Sequence, residues 1–297
     1  MNFIQFAELH GVVVRRLFAS EKIQRCATVE HPQKRNGAYW FNGRSGWVWN
    51  WEHGQESVAW WDDPNAKPPT AAELAAARAE RRKAQIALER RQERAARISA
   101  DMIASCQHKE HGYLERKGGG KAHQIKKVKG LVNSKDELIV PVRNYVGGAI
   151  TGMQRIYFDD GKWVKEFEPG TRADMGVFVL GRGAIEIGCE GYATGLSLRA
   201  AADNAGLDVA VVVCFSAGNL ARVAAVGKMK CVFADNDVQT EYQKQHGIEQ
   251  TGHKIAKQIG LPWASSPVEG EDANDLHARA GILALQAILV RLVGECG

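Results

Sequence analysis

The sequence predicts an α/β protein: a central, mainly parallel sheet flanked by helices in the C-terminal part, a small α+β block before it, and a tryptophan-rich β module at the start. Three observations carry this. From Val177 onward, short apolar runs alternate with helical stretches, which is how a parallel sheet covered on both faces is written. Six of the eight tryptophans crowd between Trp40 and Trp61 among glycines and asparagines. Between these regions runs a long Ala-, Glu- and Arg-rich segment that follows a proline-rich break. The expected boundaries are 1–66, 67–110, 111–176 and 177–297.

The first block opens with a short helix. The alternation of Trp47, Trp49 and Trp51 then indicates a strand with one aromatic face, and the Gly-containing breaks indicate a small antiparallel sheet. "DDPNAKPP", residues 62–69, ends it, because consecutive prolines continue neither helix nor ladder. Thr70 is a suitable N-cap for the long helix that follows, in which eight residues are basic (Arg78, Arg81, Arg82, Lys83, Arg90, Arg91, Arg94, Arg97) against four glutamates. That helix reads either as a solvated connector or as a nucleic-acid-facing arm. "ELIVPVRN" and "GGAITGMQRIYF" are two strands around a turn, followed by "KWVKEFEPG". Thereafter come strand "AIEIGCEG", helix "YATGLSLRAAADNAG", strand "DVAVVVCFS", helix "AGNLARVAAVG", strand "KMKCVFADND" and helix "TEYQKQHGIEQTGHKIAKQIG". A short strand near Pro262 and a last helix, "ILALQAILVRLVG", complete the pattern.

Composition narrows the class. With 45% hydrophobic and 25% charged residues the chain has the make-up of a globular protein, and its net charge of +5 permits a nucleic-acid partner without requiring one. The six cysteines form no C-x-x-C pair, so neither a zinc ribbon nor a disulfide framework is expected. No apolar run approaches the ~18–20 residues needed to span a bilayer. The opening residues lack the blocks of a signal peptide, and the expected location is cytoplasmic, with no membrane partner.

The chemistry is concentrated in acids. In a parallel sheet, ligands gather at the carboxyl ends of the strands. Three segments there are acidic: Glu190 in "CEGYATG", Asp235 and Asp237 in "ADND", and Asp272 and Asp275 in "EGEDANDLH". Each taken alone is explained as a helix cap or turn residue. Five acids on one edge repel one another unless cations neutralise them, and Mg²⁺, a hard ion that takes oxygen ligands, fits best, with Mn²⁺ able to substitute.

These residues, in this order, resemble the Toprim signature of primases, topoisomerases and some nucleases. "EGYATGLSLRAA", "FSAGNL", "FADND" and "DANDLH" are similar, more narrowly, to the Toprim block of phage, plasmid and mobile-element DNA primases, and "GYLERKGG" and "LIVPVRN" to the subdomain that precedes it there. The resemblance covers roughly Gly112 to the C-terminus. It implies that Glu190, Asp235 and Asp237 are catalytic and hold metal, and that the third motif falls on Asp272, Asn274 and Asp275. Lys117 stands where related sequences often carry arginine. Such primases usually begin with a zinc module. Here the first block offers only Cys26, His31 and His53, so no zinc is expected and its aromatic residues either form a core or stack on unpaired bases.

The implied activity is Mg-dependent nucleotidyl transfer making short RNA primers on single-stranded DNA. The template and nucleoside triphosphates are then partners, and Lys117, Lys126, Lys127, Arg143 and Arg155 are the candidates for tracking the template. The chain has no phosphate-binding G-x-x-x-x-G-K-[ST] loop, so a helicase is expected to be a separate protein. A Toprim nuclease and a non-catalytic single-strand-binding adaptor are the alternatives.

Overall fold

A computed structural model describes residues 2–53, 57–61, 71–117, 128–238 and 251–296. The chain divides into two compact units, one of residues 1–80 with 239–249, the other of residues 81–238 with 250–297.

In the first unit, helix α1 (Phe3–Leu9) begins with a capping box, Asn2 accepting from the Gln5 N–H while the Gln5 side chain returns to Asn2. An antiparallel meander follows, β1 (Val12–Val13), β2 (Ser20–Thr28), β3 (Gly37–Phe41), β4 (Ser45–Asn50) and β5 (Val58–Trp61), paired in that order. Its core is Phe3, Ala7, Val12, Val14, Tyr39, Val48 and Trp60. Phe3 seats on Gly46, where a Cβ would come within 2.4 Å of the ring. The aromatic stripe does form, but on the face turned away from this core. Trp40 pairs with Trp47 and Ala38 with Trp49, and these tryptophans stay half-buried while Gly46, Val48 and Asn50 alternate into the interior. Of the six tryptophans in this block, Trp60 alone belongs to the buried core, and Trp61 is exposed. Trp51 lies in a 3₁₀ turn under the Arg25 guanidinium, 4.0 Å from its ring centroid.

Helix α2 (Ala71–Ser105) presents Arg90, Arg91, Arg94 and Arg97 to solvent and turns Ala95 and Ser99 inward. Gly170, at φ +100°, packs on its backbone, where a Cβ would lie 2.7 Å from the Arg91 carbonyl oxygen.

The second unit is built on one continuous sheet. Its order is β10 (Lys162–Phe167), β9 (Ile150–Asp159), β8 (Leu138–Asn144), β11 (Gly176–Leu180), β13 (Val209–Val213), β12 (Ile185–Cys189), β14 (Met229–Phe233), β15 (Trp263–Ala264). β7 (Gly130–Val132) pairs with the start of β8 and with β6 (Gln107–Lys109), and α3 (Gly112–Lys117) lies between those two strands in sequence. The α+β block and the parallel part therefore share a ladder: β8 pairs β9 along its length and hands its last residues to β11. β11 in turn pairs antiparallel with β13.

β12 pairs parallel with β13 on one side and β14 on the other, and β14 pairs parallel with β15. The apolar runs split by alternation. Val209, Val211, Val213, Cys231 and Phe233 pack with α4 (Tyr192–Ala205), α7 (Ala273–Ala280) and α8 (Ile282–Gly294). Val212, Val232 and Ala234 pack with α5 (Ala217–Ala224) and α6 (Thr251–Ile259). Right-handed crossovers require this: α4 carries the chain one way along the sheet, the next connection carries it back past β12, and the helices land on opposite faces. The expected last helix is preceded by a separate one, α7, divided from α8 at Gly281, whose φ is +82°. Among the described residues no helix is long and apolar enough to cross a membrane.

Candidate metal centre at the strand ends

Strand order reverses at β12, so the crevice of the sheet opens between the carboxyl ends of β12 and β14. Glu190 follows β12 directly, and Ala234 carries β14 into Asp235, Asn236 and Asp237. Helix α4 starts immediately after Glu190 because Gly191 is its N-cap and Gly195 lets it approach the sheet; a Cβ there would lie 2.5 Å from Val213. That approach places the Thr194 hydroxyl 3.5 Å from Asp235 Oδ1, which it can donate to. On the other side, Phe215 at φ +65° makes the turn into α5, and its N–H donates to the Glu190 carbonyl oxygen at 2.8 Å.

Glu190 and Asp235 are half-buried and Asp237 is exposed. Burial pushes the Glu190 carboxyl up to about 8, with Asp235 and Asp237 adding to the rise and the Ala217 N–H opposing it. Burial likewise pushes Asp235 up to about 7, followed by the charges of Asp272 and Asp237, against the Thr194 hydrogen bond. The five acids thus share one electrostatic neighbourhood. Among the described residues no arginine or lysine forms a salt bridge to Glu190, Asp235 or Asp237. Hard oxygen donors, partial burial and uncompensated negative charge are the donor chemistry of a divalent cation such as Mg²⁺. Among the described residues, the three His, Cys, Asp or Glu side chains with ligand atoms all within 4.8 Å of one another are Glu30, His31 and Glu52, in the other unit.

Asp272 and Asp275 have a structural duty as well. Asp272 is the N-cap of α7, accepting from the Asp275 N–H at 2.8 Å, and the Asp275 carboxylate faces the Asp272 N–H at 3.5 Å. Lys117 reaches this box, its Nζ 3.9 Å from Asp275 Oδ1. Asn274 ties it down, donating to the Lys117 carbonyl and to Ser197 Oγ at 3.0 Å, while His277 Nδ1 lies 3.1 Å from the same hydroxyl.

Of the other basic residues, Arg143 and Arg155 lie on the antiparallel strands β8 and β9. Arg143 is exposed at the β8–β9 turn, donating to the Gly148 carbonyl at 3.1 Å. Arg155 sits among Glu166 (2.6 Å), Glu137 (3.8 Å) and Glu168 (3.9 Å), which commits its charge to an ion-pair network. Lys126 and Lys127 lie outside the described residues.

Sequence reasoning passed over three supports of this centre: Thr194, the Asn274–Ser197–His277 cluster as an anchor, and Asn219. Asn219 is buried, accepts from the Met175 N–H (2.9 Å) and donates to the carbonyls of Gly176 (2.8 Å) and Cys214 (2.9 Å), clamping β11 to the turn beside Glu190. The one available signal was an Asn three residues after an N-capping Ser216 in "FSAGNL". Asn219→Ala is expected to destabilise the fold by about 3 kcal/mol, because three backbone groups lose their partner in the interior; urea unfolding monitored by tryptophan fluorescence measures it.

A family model described as Toprim domain matches residues 186–282, which span β12 to the start of α8 and contain all five acids. Residues 186–282 are a Toprim domain. Among solved structures, the primase fragment of the bacteriophage T7 primase-helicase protein is similar at 14% identity and a TM-score of 0.36, over 61% of this chain and 75% of that one. A DnaG primase catalytic domain bound to ssDNA is similar at 15% identity and a TM-score of 0.36, over 70% of this chain and 73% of that one. A DNA primase domain from Pseudomonas aeruginosa is similar at 16% identity and 0.34, over 60% and 57%. No curated protein matches the chain.

Proposed function

We propose that this chain is a DNA primase that joins ribonucleotides into short RNA primers on single-stranded DNA, serving a phage, plasmid or other mobile element alongside a separate helicase in the cytoplasm. The observation that carries this is the set of acids at the switch point of a Toprim domain, with no basic partner for Glu190, Asp235 or Asp237 among the described residues. A protein that merely bound DNA would gain nothing from negative charge facing phosphate.

In this reading Asp235, Asp237 and Glu190 hold Mg²⁺, with Asp272 and Asp275 completing the outer sphere through the oxygens that capping leaves available. Magnesium supplies the positive charge that a triphosphate and its developing transition state require. The protein's own part is orientation and proton movement. Thr194 fixes the Asp235 carboxylate, and the Ala217 N–H at the start of α5 holds that of Glu190. Glu190 is the group we would assign to help take the proton of the attacking 3′-hydroxyl, a second bound ion being the alternative. Lys117 and Arg143 are assigned to template phosphates.

The first unit offers a further place for the template. A cleft of about 350 Å³ there is lined by Arg15, Arg16, Arg25, Lys34 and Arg35, with Phe18 at its wall. The Arg16 guanidinium lies over the Phe18 ring at 4.9 Å. Cations alternating with aromatic rings suit a single strand's phosphates and bases. Replacing Arg16 and Arg35 by alanine should weaken oligonucleotide binding and lower the slope of log affinity against log salt by about one for each phosphate that is no longer neutralised.

Incubation with single-stranded DNA, labelled ribonucleotides and Mg²⁺ tests the main reading. New short RNA supports it. Shortened template with no RNA would make the chain a Toprim nuclease, and a mobility shift with neither would make it an adaptor.

A further inference from the structure

We propose a second metal site, in the N-terminal unit, formed by Glu30, His31 and Glu52 and suited to a divalent transition ion of the zinc class. Glu30 and His31 stand just beyond the end of β2, and Glu52 lies in the 3₁₀ turn after β4, so the site joins two segments 21 residues apart. One ligand atom from each residue lies within 4.8 Å of the other two. The backbone presents them in fixed poses: Thr28 Oγ1 accepts from the His31 N–H at 3.2 Å, and Asn50 Oδ1 accepts from the Glu52 N–H at 3.0 Å.

A simple ion pair accounts for part of this arrangement. His31 Nδ1 contacts Glu52 Oε1, which also accepts from Asn36 Nδ2 at 2.6 Å. The remainder is left over. The Glu52 side chain is 10% exposed, and its other oxygen, Oε2, is buried without a hydrogen-bond donor. A buried carboxylate oxygen with no donor is costly. A cation bound by both carboxylates and the imidazole removes that cost. Because one of the three ligands is imidazole, the set suits zinc better than magnesium, and it leaves a fourth position for water.

The location gives the ion something to do. Among the described residues the cluster packed around α1 is small, seven buried apolar side chains, and small cores gain most from a metal staple. The loop it would pin, residues 29–36, carries Lys34 and Arg35, two of the cations lining the basic cleft. The site does not depend on the primase reading, since it shares no residue with the Toprim acids.

The test uses the full chain carrying Asp235→Asn, so that the Toprim acids do not compete. After treatment with a chelator, the protein is titrated with Zn²⁺ against a chromophoric indicator. One zinc per chain should bind, and Glu52→Gln and His31→Gln should each weaken it on the order of 100-fold or more, as removing a ligand costs at least as much as removing an outer-shell partner. Zn²⁺ should raise the thermal midpoint of the chain and leave that of Glu52→Gln unmoved. Co²⁺ should give visible bands without sulfur-to-metal charge transfer. Absence of stoichiometric zinc in a folded chain overturns the proposal, as does a sulfur charge-transfer band from the cysteines or binding that survives both substitutions. Should Glu52→Gln fail to fold, Glu30→Gln provides the same comparison.

Discussion

Asp235→Asn is expected to abolish primer synthesis while leaving single-stranded DNA binding nearly intact. The substitution keeps the shape and the reach to Thr194 but removes the charge at the centre of the acidic neighbourhood. Losing one preorganised charge from a site of this kind costs roughly 10²–10³-fold or more in turnover. The same change should raise the stability of the metal-free protein, since it relieves a half-buried carboxylate that burial, Asp272 and Asp237 all disfavour in its charged form. This pairing distinguishes a metal ligand from a structural acid. If Asp235 served only as a partner for Thr194, the variant would be neutral or weakened in stability and would retain its activity. Steady-state extension assays, fluorescence anisotropy with an oligonucleotide, and thermal unfolding in the presence of a chelator give the three readouts.

The parallel part of the fold was legible because its strands are apolar on both faces. Runs such as Val209–Val213 admit no other placement than the middle of a covered sheet, and an acid just beyond such a run lies on the ligand edge by topology. Hence Glu190 and Asp235 could be located without coordinates. The edges were harder. Strand β11 is short, pairs antiparallel, and draws its register from β8 on one side and β13 on the other, none of which a local pattern reveals. The last helix starts at Ile282, as expected, but α7 before it was not read, and only the structure makes Asp272 and Asp275 a capping box as well as candidate ligands.

The N-terminal unit shows a different limit. Alternation identifies two faces of a strand but not which one is buried, and here both are rich in rings. Trp47 and Trp49 project from one side of β4, while Phe3, Tyr39 and Trp60 gather on the other. Helix α1 settles the choice, through the fit of Phe3 over Gly46. The Glu30–His31–Glu52 trio was passed over for a related reason. Counting cysteines and histidines finds soft, zinc-finger ligand sets, whereas carboxylates are too common for their spacing to stand out until the chain has brought them together.

The remaining acids yield the second large expected effect, on stability against pH. Glu190 and Asp235 have folded-state proton affinities near pH 8 and pH 7, well above the ordinary carboxylate range. In the metal-free protein they therefore stay protonated over a window in which the unfolded chain has already released its protons. The native state then binds more protons than the unfolded one, and stability falls as pH rises, by up to about 1.4 kcal/mol per pH unit for each group. The contribution is complete below the unfolded values near pH 4 and is gone once pH has passed about 8. Mg²⁺ should invert the trend. The cation competes with these protons, so its affinity climbs with pH, and it removes the repulsion that grows as the acids ionise. Thermal unfolding at about pH 5.5 and about pH 8.5, each with a chelator or with Mg²⁺, should show a small magnesium shift at the lower pH and a large one at the higher. In Asp235→Asn the magnesium shift should be small at both. A magnesium shift independent of pH, or equal in the variant, would mean that the ion binds away from these carboxylates, and the assignment of Glu190, Asp235 and Asp237 as its ligands would fail with it.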